Sequence, residues 1–384
     1  MTALDVVIMA AGKGTRMKSS MPKVLHPLAG KPLVQHVIDT AHALHTRHTI
    51  LITGHGAEVV EPLLQKAYPQ KALQFAKQMP QLGTGHAVQQ ALPLLDDDGV
   101  VVVLSGDVPL TQADTLQALI KACDGKNLAL LTIDFEDPTG YGRIVRGFDH
   151  QVHDIIEHKD ANELQLEIKE IYSGIMAVPA KWLKKWLPQL KNDNAQKEFY
   201  LTDVVRMAVS DHVKVVAHKI TDAAQVAGIN SPLQLAELER IYQTRQAHAL
   251  LAQGVRIIDP ARIDLRGTLT CQEDVLIDIN CIFEGRVQLG VGVHIGAHCV
   301  IANCVIEDNA VILPFTHIDG ELQGITVGKG ARVGPYARLR PGAQLGSDVH
   351  VGNFVEIKNS TLADGAKANH LAYLGDATVG ERVN

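Results

Sequence analysis

From Val327 to Ile357 an aliphatic residue returns at every sixth position: Val327, Val333, Leu339, Leu345, Val351 and Ile357. In four of these six hexads the next residue is glycine (Gly328, Gly334, Gly346 and Gly352), and Ile295-Gly296 and Val379-Gly380 carry the pattern outward in both directions. Repetition of this kind marks a parallel β-helix. Each hexad supplies a flat strand and a turn, and stacking of successive coils buries the apolar residue. An aromatic content of only 4% agrees, because a narrow prism interior accepts Val, Ile, Leu and Ala more readily than rings.

Upstream the pattern differs. To about residue 230, β-branched runs such as Val100-Val101-Val102-Val103-Leu104 alternate with helical stretches such as 111–122. Strands alternating with helices imply an α/β domain with a Rossmann-like, mostly parallel sheet covered on both faces, and ligands then bind at the carboxyl ends of the strands. Between the two patterns, Ser231-Pro232-Leu233-Gln234 offers an N-cap, a proline in the first turn and a Gln three residues after the cap, and Gly254 provides the stop. Leu235, Leu238, Ile241 and Tyr242 recur there at helical spacing, so this linker helix is expected to pack on a neighbour. The expected organisation is an α/β domain over 1–230, a linker helix over 231–254 and a β-helix over 255–384. The hexads resemble those of left-handed, three-sided β-helices, whose coil is three hexads, or eighteen residues.

A net charge of −6 with no basic block argues against a nucleic-acid partner. Five cysteines, Cys123, Cys271, Cys281, Cys299 and Cys304, make no Cys-x-x-Cys pair. With no secretory segment ahead of the first strand, they are expected to be reduced thiols of a cytoplasmic protein. No run approaches the ~18 apolar residues of a membrane span, so no membrane insertion is expected.

The apolar run Val6-Val7-Ile8 leads into Met9-Ala10-Ala11-Gly12-Lys13-Gly14-Thr15-Arg16-Met17, followed by Pro22-Lys23 and Lys31-Pro32. A loop leaving the first strand of an α/β domain in this way can converge backbone N–H groups and basic side chains on a phosphate. A Walker A loop needs four residues between its first Gly and Gly-Lys, and the dinucleotide fingerprint needs a third Gly where this chain has Met17; neither fits. The loop resembles the G-x-G-T-R-M…P-K loop of nucleotidyltransferases that join a sugar 1-phosphate to a nucleoside triphosphate. Such a transfer is in-line attack on the α-phosphorus with pyrophosphate leaving, so catalysis is positioning plus neutralisation of growing negative charge. Backbone N–H groups of Ala11 to Gly14 would then hold the nucleotide, and Arg16 and Lys23 would meet the triphosphate or pyrophosphate. Magnesium needs hard oxygen ligands, and the strand ending Val103-Leu104-Ser105-Gly106-Asp107 delivers a carboxylate to the binding edge. An Asp in that place can also simply cap the following helix.

Further motifs narrow the resemblance. Gln78, Leu82-Gly83-Thr84-Gly85-His86-Ala87, Gly106-Asp107-Val108-Pro109-Leu110, Asp137-Pro138-Thr139-Gly140-Tyr141-Gly142-Arg143-Ile144, Glu157-His158-Lys159-Asp160 and Gly228-Ile229-Asn230 occur in a telling order. It is the order found in the bifunctional N-acetylglucosamine-1-phosphate uridyltransferase / glucosamine-1-phosphate N-acetyltransferase family. That family joins an α/β domain, a linking helix and a left-handed β-helix, so the resemblance covers the whole chain. It implies that Ala10, Ala11 and Gly12 contact the nucleotide, that Gln78, Gly83 and Thr84 read the uracil, and that Gly142 and Glu157 hold the sugar. Asp107 and Asn230 would bind Mg²⁺. An amide can pair with a uracil edge, and Glu can accept bonds from sugar hydroxyls. Ser105, Gly106 and Tyr172 fall at further nucleotide- or sugar-contact positions, although Ser105 stands where Tyr is common and Tyr172 where Asn is common. Neither departure removes a charge from the mechanism.

In the hexads, the residue after the apolar one is Gly except at Arg340 and Lys358, which lie eighteen residues, or one coil, apart. They are expected to stack on one face at the ~4.8 Å spacing of neighbouring strands. Paired cations can clamp a phosphate. His370 is the candidate general base, since imidazole titrates near neutrality. The resemblance aligns Arg340, Lys358, His370, Tyr373 and Asn384 with an acetyltransferase site for glucosamine 1-phosphate and acetyl-CoA, and implies a homotrimer through the prism faces. Members of the family continue for several coils beyond the position of Asn384, so the chain resembles a truncated form with impaired acetyl transfer. The expected reaction is Mg²⁺-dependent uridylyl transfer from UTP to N-acetylglucosamine 1-phosphate, giving UDP-N-acetylglucosamine. The alternatives are a sugar-1-phosphate nucleotidyltransferase using dTTP or ATP, and a catalytically silent trimeric assembly module.

Overall fold

Val6, Val7 and Ile8 are all fully buried, because the strand that carries them, Leu4–Met9, lies inside a sheet covered on both faces. The computed structural model describes residues 3–70 and 73–384. Two compact units emerge: the residues up to Pro27 with Pro32–Leu235, and Leu28–Lys31 with Ala236–Asn384.

In the first unit the strands run in the spatial order Val215–Lys219, Leu128–Asp134, Glu170–Pro179, Val100–Ser105, Leu4–Met9, His48–Thr53, Leu73–Lys77. All neighbours are parallel except that Glu170–Pro179 runs antiparallel to both of its own. That strand also holds the hairpin Arg143–Arg146/Val152–Ile156, through the Ile171–Arg143 pair. Successive residues of a strand face opposite sides. Val6 and Ile8 therefore join Val34, Ile38, Leu51 and Leu104 in one core, while Val7 joins Ile50, Ile52, Val101 and Val103 in the other. Burial on both faces is why these strands read as unbroken aliphatic runs. The helix expected over 111–122 is Ala113–Cys123.

The linker helix is Pro232–Ala252. Ser231 Oγ accepts from the Gln234 N–H at 3.3 Å, while the Gln234 side-chain oxygen accepts from the Asn230 N–H at 2.8 Å. The capping residues thus act as expected, with the return bond one residue earlier. Leu238, Ala247 and Leu250 are buried, and Gln243 bonds both the carbonyl and the N–H of Leu265, at 2.9 and 2.7 Å. Ile241, expected among the packing positions, is 38% exposed. Gln243 takes the inward place because it satisfies a strand backbone that an aliphatic chain would leave unpaired.

The second unit is a stack of parallel coils. One face runs from Arg256–Ile257 to Lys367–His370. The remaining strands form a continuous ladder in which Val300–Ile306 pairs with His317–Asp319 along one half and with Ile325–Val327 along the other, so that each coil turns through three faces. The six hexad residues from Val327 to Ile357 are at most 3% exposed. Their register is eighteen residues, as in Leu339 with Ile357. The strict period is local. Residues 320–324 add a loop, so that Val311 meets Arg332, and beyond Ile357 a coil closes one residue early, with Ile357 opposite Leu374. Gly352 sits where coils crowd: a Cβ there would lie 1.7 Å from the Asn369 carbonyl oxygen.

Burial pushes the thiols of Cys123 and Cys281 up to about 11 and those of Cys271, Cys299 and Cys304 up to about 12. At pH 7.5 the folded chain is therefore expected to react with iodoacetamide at well under a tenth of the rate of the unfolded chain, with half-buried Cys271 modified first. Mass spectrometry of a timed alkylation checks this. No helix among the described residues is long and apolar enough to cross a membrane.

Candidate functional site

Backbone bonds between neighbouring strand ends assemble the edge on which the sequence motifs meet. Gly106 N–H donates to Met9 C=O at 2.9 Å, Ala10 N–H to Ile52 C=O at 2.8 Å, and Gln78 N–H to Thr53 C=O at 2.8 Å. The glycine-rich loop, the Asp107 turn and the Gln78 segment are thus held along one edge of the sheet. Ala10 and Ala11 are buried, whereas Gly12, Lys13 and Arg16 are exposed. Gly14 has φ +60, and a Cβ on it would lie 2.5 Å from Lys23 Cβ. The second glycine of the loop is what lets the stem of Lys23 lie against it.

Lys23 Nζ donates to Asp107 Oδ2 and, at 3.0 Å, to Asn230 Oδ1. The side chains of Lys23 and Asp107 are only 13% and 19% exposed. Ile229 N–H donates to the Asp107 carbonyl at 3.0 Å, which ties the Gly228-Ile229-Asn230 turn to the end of strand Val100–Ser105. Two oxygens from distant segments therefore converge on one cation. Asp107 does not cap the following helix, whose N-cap is Gln112. Lys13, Arg16 and Lys18 have no carboxylate partner among the described residues, so Lys23 alone of the loop's four cations is held by an anion.

Gln78 is 4% exposed. Its Nε2 donates to the Gly83 carbonyl at 2.9 Å and lies 3.2 Å from His86 Nδ1, which leaves its carbonyl oxygen as the group on offer. Thr84 Oγ1 accepts from the Leu201 N–H at 3.1 Å. A cleft of about 180 Å³ is lined by Thr84, Gly142, Glu157, Tyr172 and Thr202 among others. Thr202 donates to Glu157 Oε1 at 2.9 Å, and burial lifts the Glu157 carboxyl above the usual range. The Tyr172 hydroxyl is buried without a hydrogen-bond partner, and burial followed by the charge of Glu157 raises it well above an ordinary phenol. Tyr141, on the same cleft, is raised by burial and then by the charge of Asp107. Ser105 approaches Gly174, whose Cβ would lie 3.9 Å from its Oγ. A larger cavity of about 680 Å³ shares Glu157 and is otherwise lined by residues such as Trp186, Tyr200 and Arg206; it contains none of the loop residues.

Two supporting roles gave no sequence signal, although Arg143 itself lies in the Asp137–Ile144 motif. Arg143, 1% exposed, donates to the Tyr141 carbonyl and approaches His158 Nδ1 at 3.4 Å, so it braces the Gly140–Gly142 turn from beneath. Thr202, which orients Glu157, lies 45 residues from it, in a segment with no motif.

In the hexapeptide unit Arg338 pairs with Glu356 and Leu339 with Ile357, which puts Arg340 and Lys358 in the expected register. Arg340 is not an unpaired cation, however: its Nη1 donates to Glu356 Oε1 at 2.7 Å. Lys358 follows in register with Gly375, over which the Tyr373 hydroxyl folds. His370 is exposed and lies on the adjacent face, in register with Asn353. Asn384 Oδ1 accepts from Asn369 Nδ2 at 2.7 Å. The structure thus brings Arg340, Lys358 and Tyr373 together on one face and sets His370 just around the corner from them.

These features define a nucleotidyltransferase followed by hexapeptide transferase repeats. Residues 6–256 match the MobA-like NTP transferase domain, and residues 324–359 match the bacterial transferase hexapeptide family of six repeats. A UDP-glucose pyrophosphorylase solved in complex with UDP-glucose superposes with a TM-score of 0.51 at 17% identity, over 63% of this chain and 99% of that one, which shows the shared fold. Full-length relatives are more specific. The bifunctional protein GlmU of Paracidovorax citrulli (strain AAC00-1) is 65% identical over 393 residues, covering 100% of this chain and 83% of the relative. Its counterpart in Polaromonas naphthalenivorans (strain CJ2) is 67% identical, covering 99% and 82%, and that of Nitrosospira multiformis is 53% identical, covering 100% and 82%. The chain belongs to the family of the bifunctional protein GlmU.

Proposed function

We infer that this chain transfers uridylyl from UTP to N-acetylglucosamine 1-phosphate, releasing pyrophosphate and giving UDP-N-acetylglucosamine, and that its hexapeptide unit serves glucosamine 1-phosphate acetylation. The observation that carries the first activity is the meeting of Lys23, Asp107 and Asn230 beside the glycine-rich loop.

Asp107 and Asn230 are the residues we propose to hold Mg²⁺. Their fit is chemical: a carboxylate and an amide oxygen, both hard donors, already share one cation in Lys23. When bound, the metal would supply charge neutralisation at the phosphates. Backbone N–H groups from Ala11 to Gly14 position the triphosphate, and Arg16 and Lys23 offset the charge that grows as pyrophosphate leaves. The Gln78 carbonyl oxygen accepts the N3–H of uracil, whereas adenine and cytosine present an acceptor at the corresponding edge. Thymine shares that N–H, so this contact excludes ATP without excluding dTTP. Gly83 and Thr84 flank the base, and Gly142, Glu157 and Tyr172 face the sugar.

On the hexapeptide unit, Arg340, Lys358 and Tyr373 hold the sugar phosphate, His370 takes the proton from the attacking amine, Asn384 belongs to the same site, and acetyl-CoA is the acyl donor. Trimerisation through the hexapeptide unit and a cytoplasmic setting belong to the same reading.

The reading is tested by pyrophosphate release, which should need UTP, the sugar phosphate and Mg²⁺ together. Glu157→Gln sharpens it. Loss of a charged acceptor for a sugar hydroxyl should raise KM for the sugar phosphate about tenfold with KM for UTP unchanged. Stability should move the other way. A carboxyl whose folded pKa is raised favours the fold below its unfolded pKa, and that contribution is lost as pH rises through the folded value. At pH 7 the neutral Gln escapes the burial penalty, so Tm should be equal to or above that of the parent. Steady-state kinetics and a thermal melt read both arms.

A further inference from the structure

We propose that the Lys23 ammonium is a built-in stand-in for the divalent cation at Asp107 and Asn230. Entry of the cation then releases Lys23 to the phosphate loop, so that one side chain couples the metal to the nucleotide. The inference rests on reading Asp107 and Asn230 as the metal's ligands.

Four observations carry it. Lys23 Nζ is bonded to both of those oxygens, so it occupies the point where their donor directions meet. Asp107 has no other side-chain partner among the described residues, and Asn230 Nδ2 is turned to the Gly228 carbonyl at 3.4 Å, which leaves Oδ1 on the cation. The frame around the oxygens is fixed by backbone: Ile229 N–H on the Asp107 carbonyl at 3.0 Å, and Asn230 N–H on Gln234 Oε1 at 2.8 Å. Finally, Lys23 Cβ packs against Gly14, 2.5 Å from where a Cβ of that glycine would lie. The stem of Lys23 therefore already lies on the phosphate loop, and its backbone is held in a short turn between Pro22 and His26.

The physics follows from charge. A divalent cation and an ammonium cannot both sit on the same two oxygens, because like charges at contact distance in a part-buried site repel strongly. The movable party is the lysine, whose four-carbon stem rotates while the oxygens stay where the backbone holds them. Once displaced, the ammonium needs an anion, and the loop beneath its stem is built to hold one. Metal and nucleoside triphosphate then favour each other's binding, reciprocally, even before direct contact between them is counted. Without nucleotide, Lys23 competes with the metal and keeps its affinity low.

The test is metal affinity of the full chain without nucleotide, measured as bound Mn²⁺ by electron paramagnetic resonance and as Mg²⁺ binding by calorimetry. Lys23→Met should bind Mn²⁺ about tenfold more tightly than the parent. Lys23→Arg, which keeps the charge, should stay near the parent. Lys13→Met removes a charge from the same loop without touching Asp107, so it should change affinity by less than about threefold, as a through-solvent effect. If Lys23→Met and Lys13→Met shift Mn²⁺ affinity equally, the stand-in role is overturned. Asp107→Asn separates the two layers. If it abolishes the gain in the Lys23→Met background, both the ligands and the competition stand. If it weakens Mn²⁺ binding in the parent while Lys23→Met tightens nothing, the ligands stand and the stand-in is refuted. If it changes metal binding in neither background, the ligand reading itself fails and takes the inference with it. Lys23→Gln guards against a misfolded Met variant, and Mg²⁺ should raise the Tm of either neutral variant more than that of the parent.

Discussion

Asp107→Asn is expected to lower kcat for uridylyl transfer about a thousandfold, equivalent to ~4 kcal/mol of transition-state stabilisation, while leaving the fold in place. The carboxylate sits at the end of strand Val100–Ser105, and its backbone carbonyl is held by Ile229, so its position does not depend on its charge. Asn still offers Lys23 an oxygen acceptor, and the lost ion pair is partly solvated, so Tm should fall by only a few degrees. What disappears is the negative charge that holds the Lys23 ammonium at this site. Kinetics at saturating Mg²⁺ together with a circular dichroism melt check both halves. Activity within tenfold of the parent would remove Asp107 from the mechanism.

The largest loss of stability is expected from one methyl group in the coil stack. Gly352→Ala places a carbon 1.7 Å from the Asn369 carbonyl oxygen, and neither atom belongs to a flexible side chain that can move away. The coils must separate locally, at a cost of ~3 kcal/mol, which corresponds to a drop of roughly 6–12 °C in the melting of the hexapeptide unit. Asn353, the next residue, pairs with His370, so the disturbance falls on the strand that carries the candidate base. Uridylyl transfer should persist at 25 °C, because Arg16, Lys23, Asp107, Glu157 and Asn230 all belong to the first unit. Differential scanning calorimetry beside the two activity assays measures this. An unchanged melt would mean that the coils are looser at Gly352 than the structure has them.

Local pattern carried much of the fold. Val6-Val7-Ile8 and Val100 to Leu104 announce strands buried on both faces because no alternation survives when both sides are core, and the hexads announce coils because an aliphatic residue turns inward at every sixth position, with a second inward residue two places before it at Ala331, Ala337, Ala343, Val349 and Val355. The pattern was blind to changes of period. A loop at 320–324 and a coil shortened after Ile357 interrupt it without altering the type of residue at the inward position. At the site, Asp107, Asn230, Gln78 and Glu157 stood out through motif and resemblance, and the structure places them at one sheet edge and its cleft. Their pairings did not stand out, because those contacts are long-range. Lys23 meets Asp107 across 84 residues and Asn230 across 207, and Glu157 is oriented by a threonine in an unremarkable segment. The pairing of Arg340 and Lys358 as bare cations also looked simpler in sequence than it is, since Glu356, two residues before Lys358, neutralises Arg340. The helix face at Ile241 was misjudged because a polar residue, Gln243, proved to be the inward one.

The most direct measurement is a substrate panel scored by pyrophosphate release: UTP, dTTP, ATP and CTP, each with N-acetylglucosamine 1-phosphate and with glucose 1-phosphate, in the presence of Mg²⁺. UTP with N-acetylglucosamine 1-phosphate should give the highest kcat/KM by at least tenfold, dTTP should rank second through the shared N3–H, and ATP and CTP should be at background. Equal turnover of ATP and UTP, or no Mg²⁺-dependent pyrophosphate release from any pair, would contradict the account.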